Sequence, residues 1–209
     1  PHIVQIMEER TVDLENGEGA VILILMEILE TLSQYQSSNE ADQELAEQVG
    51  KDICKALRVC EKARIIHRDI KPDNIIVNDG NVRLLDYGNS TTDESLENIR
   101  MGTKGYAPPE MYGRERISSA SDIYSIGVLM LEMITGKKDK EAVKEVHPPK
   151  LKKIIQKCMC HAGRERFFSF KQIKNALNKL NERDLGRSVS LNIHIGGVEK
   201  HCGVTYCAF

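Results

Sequence analysis

The chain has 209 residues, with 29 Lys and Arg against 31 Asp and Glu and 41% hydrophobic residues. This is long enough for one or two domains with a proper core, and the near-cancelling charge gives no sign of a nucleic-acid or acidic-polymer partner. No apolar run approaches bilayer length; the longest, Val21 to Met26, stops at Glu27, so no membrane segment is expected.

The first residue is Pro1 and no signal peptide follows, which reads as a processed or incomplete chain. A strand is expected around Ile6 to Val12, and Asn16-Gly17-Glu18-Gly19 has the composition of a turn. Val21 to Met26 reads as a strand buried on both faces, although pattern alone also permits a short buried helix. Leu45, Val49, Ile53, Ala56, Leu57 and Cys60 recur at spacings of three and four, predicting one amphipathic helix over residues 40–63. Ile75-Ile76-Val77 and Val82-Arg83-Leu84-Leu85 flank Asn78-Asp79-Gly80-Asn81 and predict a short hairpin.

Ser121 to Thr135 is apolar round nearly its whole circumference, as befits a helix in the middle of a domain, and Gly136 ends it. Lys137 to Lys140 is expected to be a solvated connector. Leu151, Ile154, Ile155 and Cys158 form another helical stripe. Ser169-x-x-Gln172 has the form of a capping box opening a helix with Phe170, Ile173, Leu177 and Leu180 inward. From Leu185 the pattern changes to strand or linker, with Val189, Leu191, Ile193 and Ile195 alternating before Gly196-Gly197; residues 184–209 form a tail to which no role is assigned. None of the six cysteines forms a CxxC pair, so free thiols in a reducing cytoplasm are expected. Cys158, Cys160 and His161 lie close together, but a structural zinc site takes four ligands, and Cys158 is expected to face the core.

One stretch carries chemistry. His67-Arg68-Asp69-Ile70-Lys71-Pro72-Asp73-Asn74 lies between a helix and a short strand and holds a carboxylate, an ammonium and an amide near a proline that fixes one dihedral. A carboxylate accepts a proton, an ammonium neutralises a phosphate oxygen, and an amide oxygen ligates a hard cation. Phosphoryl transfer needs these parts, because its transition state calls for positioning and charge stabilisation. Downstream come Asp86-Tyr87-Gly88, then Gly102-Thr103-Lys104-Gly105-Tyr106-Ala107-Pro108-Pro109-Glu110, then Asp122-x-Tyr124-Ser125-x-Gly127. In this order and spacing the segments resemble the catalytic loop H-R-D-x-x-x-x-N, the D-F-G triplet and the A-P-E region of the protein kinases.

The resemblance covers residue 1 to about residue 183. It implies an α+β fold, a mainly helical large lobe (residues 31–183) with a remnant of the small β lobe (residues 1–30). It implies a serine/threonine kinase using ATP and Mg2+ on a protein substrate, with Lys71 pointing to Ser and Thr acceptors. On the matching positions, Asp69 is the catalytic base, Lys71 steadies the transferring phosphate, and Thr103 bridges Asp69 and Lys71. Asn74 and Asp86 are the metal ligands. Met26 takes the gatekeeper position, the backbone of Glu27 and Leu29 meets the adenine edge, and Ile76 packs beneath the ring between core-facing Ile75 and Val77. Asp122 braces the catalytic loop, and Glu110 pairs with Arg166. Arg68 implies an activation loop ordered by phosphorylation, with Ser90, Thr91, Thr92 and Ser95 as candidate acceptors.

Three departures accompany the match. Tyr87 stands for phenylalanine, keeping the aromatic contact with His67. The segment from Gly136 to Leu151 is brief where the family places a further helix and long loop. No Gly-rich loop or V-A-I-K lysine occurs in the 209 residues, and Gly17-x-Gly19 reads as a hairpin turn, so this polypeptide alone is expected to be inactive or nearly so. The competing expectation is a pseudokinase or binding scaffold of the same fold. A small-molecule phosphotransferase of this fold is disfavoured by Lys71-Pro72 and the segment from Thr103 to Glu110.

Overall fold

The computed structural model describes residues 6–13, 20–26, 31–38, 42–78, 81–92, 102–112, 116–184, 189–195 and 198–204. Strands β1 (Ile6–Asp13) and β2 (Ala20–Met26) pair antiparallel, with Ile6 opposite Met26 and Asp13 opposite Ala20. Helix α1 (Leu32–Ser38) follows. No apolar period announces it, but Thr31 and Gln34 cap it reciprocally: Gln34 N donates to Thr31 Oγ1 (3.3 Å) and Thr31 N to Gln34 Oε1 (2.9 Å). That T-x-x-Q spacing is a capping-box signal.

Helix α2 (Gln43–Lys62) begins where the Asp42 carboxylate accepts from Leu45 N at 3.1 Å. Its stripe of Val49, Ile53, Ala56, Leu57 and Cys60 is buried, as the three-and-four spacing requires. Strand β3 (Ile65–Ile66) leads into the catalytic-loop stretch, in which Pro72–Asn74 make a 3₁₀ turn. The hairpin of β4 (Ile75–Asn78) and β5 (Asn81–Leu84) places Ile75 opposite Leu84, and β6 (Thr91–Thr92) returns to pair with β3.

Helix α3 (Ser119–Thr135) carries a capping box between Ser118 and Ser121 and ends at Gly136, whose φ of +68° is the left-handed conformation glycine adopts without penalty. The connector folds as a 3₁₀ turn (Lys140–Glu145) before α4 (Pro149–Cys158), and α5 (Phe170–Asp184) follows a short loop. At its start Ser169 Oγ accepts from Gln172 N, while the Gln172 side chain takes Phe168 N rather than the cap's own N–H. Strands β7 (Val189–Ile195) and β8 (Val198–Val204) form a separate antiparallel hairpin.

One core unites the helices. α2 packs on α3 and α5, and α3 packs on α4. Gly50 lies where α2, α3 and α5 meet; a Cβ there would sit 2.8 Å from Met130 Sδ and 3.2 Å from a Leu177 methyl. Ile123, Ile126, Leu129 and Met130 of α3 are fully enclosed, and Cys158 of α4 joins them. No helix among the described residues is long and apolar enough to cross a membrane.

Candidate active site

The loop after β3 is held from below. Asp122, in the first turn of α3 and 1% exposed, accepts from His67 N through Oδ2 and from Arg68 N through Oδ1, both at 2.8 Å. Burial pushes its carboxyl upward; the His67 charge and the N–H bonds of His67 and Arg68 oppose that. With these two amides pinned, Arg68 takes a φ of +68°, an uncommon conformation for a side chain of its size. His67 Nε2 lies 2.9 Å from Leu85 O, and its ring meets Tyr87 edge-on at 4.8 Å between centroids. The Tyr87 hydroxyl accepts from Cys60 Sγ of α2 at 3.8 Å, so the tyrosine of Asp86-Tyr87-Gly88 is anchored at both ends.

Asp69 is the centre of the polar network. Thr103 Oγ1 donates to its Oδ1 at 2.6 Å. Lys71 Nζ lies 2.9 Å from its Oδ2 and also donates to Thr103 Oγ1 at 2.9 Å, closing a triangle of Asp69, Lys71 and Thr103. Asn74 Nδ2 donates to Asp69 O at 2.8 Å and to its Oδ2 at 3.2 Å, and Asn89 Nδ2 reaches Oδ2 at 3.3 Å. Burial raises the Asp69 carboxyl, but the bonds from Thr103 and Lys71, the Lys71 charge and Asn74 outweigh it, leaving the group below the usual aspartate value. The oxygens are thus held ionised and aimed.

One backbone bond ties the segments of Asn74 and Asp86: Leu85 N donates to Asn74 O at 2.8 Å, and Asp86 is the next residue. The Asn74 amide nitrogen is committed to Asp69. Asp86 is exposed, with a φ of +55°, and its Oδ1 accepts from Gly88 N at 3.0 Å, the local bond a purely structural turn aspartate also makes. No three His, Cys, Asp or Glu side chains gather as a metal site among the described residues. The donor set of two hard oxygens fits Mg2+, which takes few protein ligands and fills its shell with phosphate and water oxygens.

Ile76 is buried yet stands outside the main core, whereas Ile75 belongs to it and Val77 packs against it; alternation along β4 sends Ile76 to the opposite face. Ile76 also bridges to Thr31. Met26 ends β2, and Glu27 and Leu29 lie outside the described residues. Of the candidate phosphate acceptors, Ser90 donates to Tyr87 O at 2.6 Å, Thr91 and Thr92 form β6, and Ser95 lies outside the described residues.

The predicted scaffold pair is present. Arg166 grips Glu110 with two bonds, 2.6 Å and 2.8 Å, and donates to the carbonyls of Ala120, Cys160 and His161. Burial raises the Glu110 carboxyl, but the Arg166 bonds and charge, a backbone N–H and the Ser121 hydroxyl together outweigh it and hold it below the usual glutamate range. Two contacts had no sequence signal. Asn89, directly after Gly88, clamps Asp69 with its amide while its carbonyl accepts from Arg68 Nε at 2.5 Å. Tyr106 donates to Glu132, and Lys138, from the stretch read as a solvated connector, pairs with Glu132 at 3.2 Å and caps the Tyr106 ring at 4.2 Å. These groups border a groove of about 490 Å³ beside Pro72 and Thr103.

The catalytic-loop, Asp-Tyr-Gly and Thr103-to-Glu110 segments match a known family. The family model for the protein kinase domain matches residues 1–183. The chain belongs to the protein kinase family. Its architecture among the described residues, mixed but mostly helical, agrees with a kinase fold. Aurora kinase C of Mus musculus is 34% identical over 110 residues, 52% of this chain and 40% of that protein. The probable serine/threonine-protein kinase pknA2 of Bifidobacterium longum is 30% identical over 144 residues, 66% of this chain and 18% of the relative. Mitogen-activated protein kinase kinase 1 of Arabidopsis thaliana is 33% identical over 127 residues, 58% of this chain and 36% of the relative. The kinase chain thus spans less than half the length of these relatives.

Proposed function

We propose that this kinase chain carries the catalytic lobe of a serine/threonine protein kinase that moves the ATP γ-phosphoryl group to protein Ser or Thr hydroxyls. The observation that carries the reading is the Asp69 carboxylate held by Thr103, Lys71 and Asn74 within 3.2 Å. Asp69 takes the acceptor hydroxyl's proton at Oδ1, which carries one hydrogen bond against three on Oδ2, as the hydroxyl oxygen forms its bond to phosphorus and the bond to the departing ADP breaks. Four donors already surround the two oxygens, close to the capacity of a carboxylate. The lone pair left on Oδ1 beside the Thr103 bond receives the incoming hydroxyl.

Lys71 is oriented by Asp69 and Thr103 and keeps a further N–H for a phosphate oxygen. Asn74 and Asp86 would hold Mg2+, which supplies neutralisation of phosphate charge when bound. Ile76 provides an apolar surface for the adenine, with Met26 and the backbone of Glu27 and Leu29 at its edge. The groove beside Thr103 accommodates the segment bearing the acceptor, and phosphorylation at Ser90, Thr91 or Thr92 would bring an anion near Arg68.

The test is transfer of labelled phosphate from ATP to Ser, Thr and Tyr peptides by the native protein carrying these residues. Asp69→Asn is expected to slow transfer by roughly a hundredfold to ten-thousandfold. Full activity in that variant, or preference for tyrosine, overturns the reading. The 209-residue polypeptide alone is expected to be inactive or nearly so, for want of a Gly-rich loop and V-A-I-K lysine in its sequence. Transfer by it that disappears in Asp69→Asn overturns that part only.

A further inference from the structure

The groove beside Thr103 ends against the last turns of α3, where a carboxylate and an aromatic ring hold one cation between them. Glu132 divides its two oxygens. Oε2 accepts from the Tyr106 hydroxyl, and Oε1 lies 3.2 Å from Lys138 Nζ. Burial and the Glu132 bond raise the Tyr106 hydroxyl well above the usual phenol value, so it keeps its proton and donates. The same Lys138 ammonium stands 4.2 Å from the centroid of the Tyr106 ring. A carboxylate edge beside a ring face recognises an ammonium or guanidinium, through charge and through the ring quadrupole. The Glu132 side chain is 20% exposed, so this subsite opens into the groove rather than into the core.

Lys138 reaches the subsite from a connector fixed on both sides of it. Thr135 Oγ1 accepts from Lys137 N at 3.2 Å, and Lys137 Nζ pairs with Glu145 at 2.7 Å. Further on, Ala142, Val143 and Val146 are buried. The aliphatic stem of Lys138 lies against the segment from Thr103 to Glu110: a Cβ on Gly105 would stand 3.2 Å from Lys138 Cδ, and Gly105 has a φ of +96°. A surface lysine ordinarily keeps its ammonium in water. Here stem and ammonium are both committed at one end of the groove, although the side chain is still 39% exposed.

We infer that Lys138 determines substrate specificity: its ammonium occupies the cation subsite of Glu132 and Tyr106, so the kinase discriminates against acceptor peptides that place Lys or Arg there. Given that the acceptor segment lies in this groove, as the kinase reading has it, a substrate cation meets a tethered rival rather than an open carboxylate. The rival competes as an intramolecular ligand and is never diluted. A substrate charge that fails to displace it is left beside a like charge, whereas neutral and apolar side chains meet neither cost.

A single arginine walked through the positions flanking Ser in an otherwise neutral acceptor peptide tests this, with kcat/KM compared to the norleucine peptide at each position. Lys138→Ala should raise the arginine-to-norleucine ratio by about fivefold to thirtyfold at one position, where the native protein shows no preference for arginine. That is the size of a partly exposed ion pair plus a cation–π contact. Lys138→Arg, which refills the subsite, should keep the native profile. Adding Glu132→Gln to Lys138→Ala should remove the gain, while the amide oxygen still accepts from Tyr106. Asp42 and Asp73 also line the groove, but any preference they set is shared by all these proteins and cancels in the cycle. The same cycle, read by fluorescence anisotropy of the labelled arginine peptide in an Asp69→Asn background, needs no phosphoryl transfer. Absence of transfer with that binding shift intact counts against the kinase reading alone. An arginine profile unchanged by Lys138→Ala, a gain spread evenly over all positions, or a gain that survives Glu132→Gln overturns the proposal, as does the absence of both transfer and binding.

Discussion

Asp122 illustrates how much one buried carboxylate organises. Its two oxygens satisfy the amides of His67 and Arg68, each at 2.8 Å, where the loop folds over α3. Asp122→Ala leaves both N–H groups buried without a partner, an expected loss of about 2–5 kcal/mol in urea unfolding. Asp122→Asn retains one acceptor and should lose less. Thr103 is a different case, since its hydroxyl ties Lys71 to Asp69 near the surface of the site. On the kinase reading, Thr103→Val should lower kcat/KM about tenfold or more, as for one hydrogen bond to a charged group, with little change in unfolding midpoint. Thr103→Ser should restore most of it; an unaffected Thr103→Val enzyme would separate this hydroxyl from catalysis. Asn89 was invisible at this scale, because an asparagine after Asp-Tyr-Gly carries no pattern that points to an aspartate twenty residues earlier.

Among the elements, α3 sets the tolerances. Most of its circumference is buried, because α2 and α4 pack on it while the catalytic loop rests on its first turn. Gly127 marks the closest approach: an added Cβ would stand 2.7 Å from Cys158 Cβ and 2.8 Å from Met159 Cγ. Gly127→Ala should therefore cost about 1–3 kcal/mol through overpacking, despite the better helix propensity of alanine. Gly136 makes the opposite test. Nothing lies within 4 Å of a Cβ there, but its φ is +68°. Gly136→Ala should cost only the backbone strain, about 1–2 kcal/mol. Thermal melts of the two variants, with Gly127→Ala also loosening the α3–α4 contact in hydrogen exchange, would distinguish packing from backbone.

For the whole molecule, the Glu110–Arg166 pair joins the segment after the catalytic loop to the loop before α5, across 56 positions of sequence. A buried pair of this kind tolerates loss of one partner poorly, because the other charge is stranded. Glu110 has a folded value below the ordinary 4.5, so its contribution is fully present above that value and disappears as pH falls through the lower folded value. Urea midpoints should thus decline below about pH 4.5, and Glu110→Gln should be less stable at neutral pH with a shallower acid decline. An acid decline of equal steepness in both proteins would assign it to other carboxylates.

The linear order of residues by itself determined the helices with a 3.6-residue period, the hairpin carrying Asp86, and the identity of the acid, amide and ammonium at the candidate site. Each is encoded within a window of a few residues, where periodicity, caps and motif spacing act. The short α1 escaped because seven residues show too little period, and only the Thr31–Gln34 cap marks it. Tertiary structure alone decided that Asn89 would clamp Asp69, that Lys138 would turn back onto Tyr106 and Glu132, and that Phe168 would stand in solvent. Those outcomes depend on how α2, α3, α4 and α5 pack, and packing brings together groups whose separation along the chain leaves no local trace.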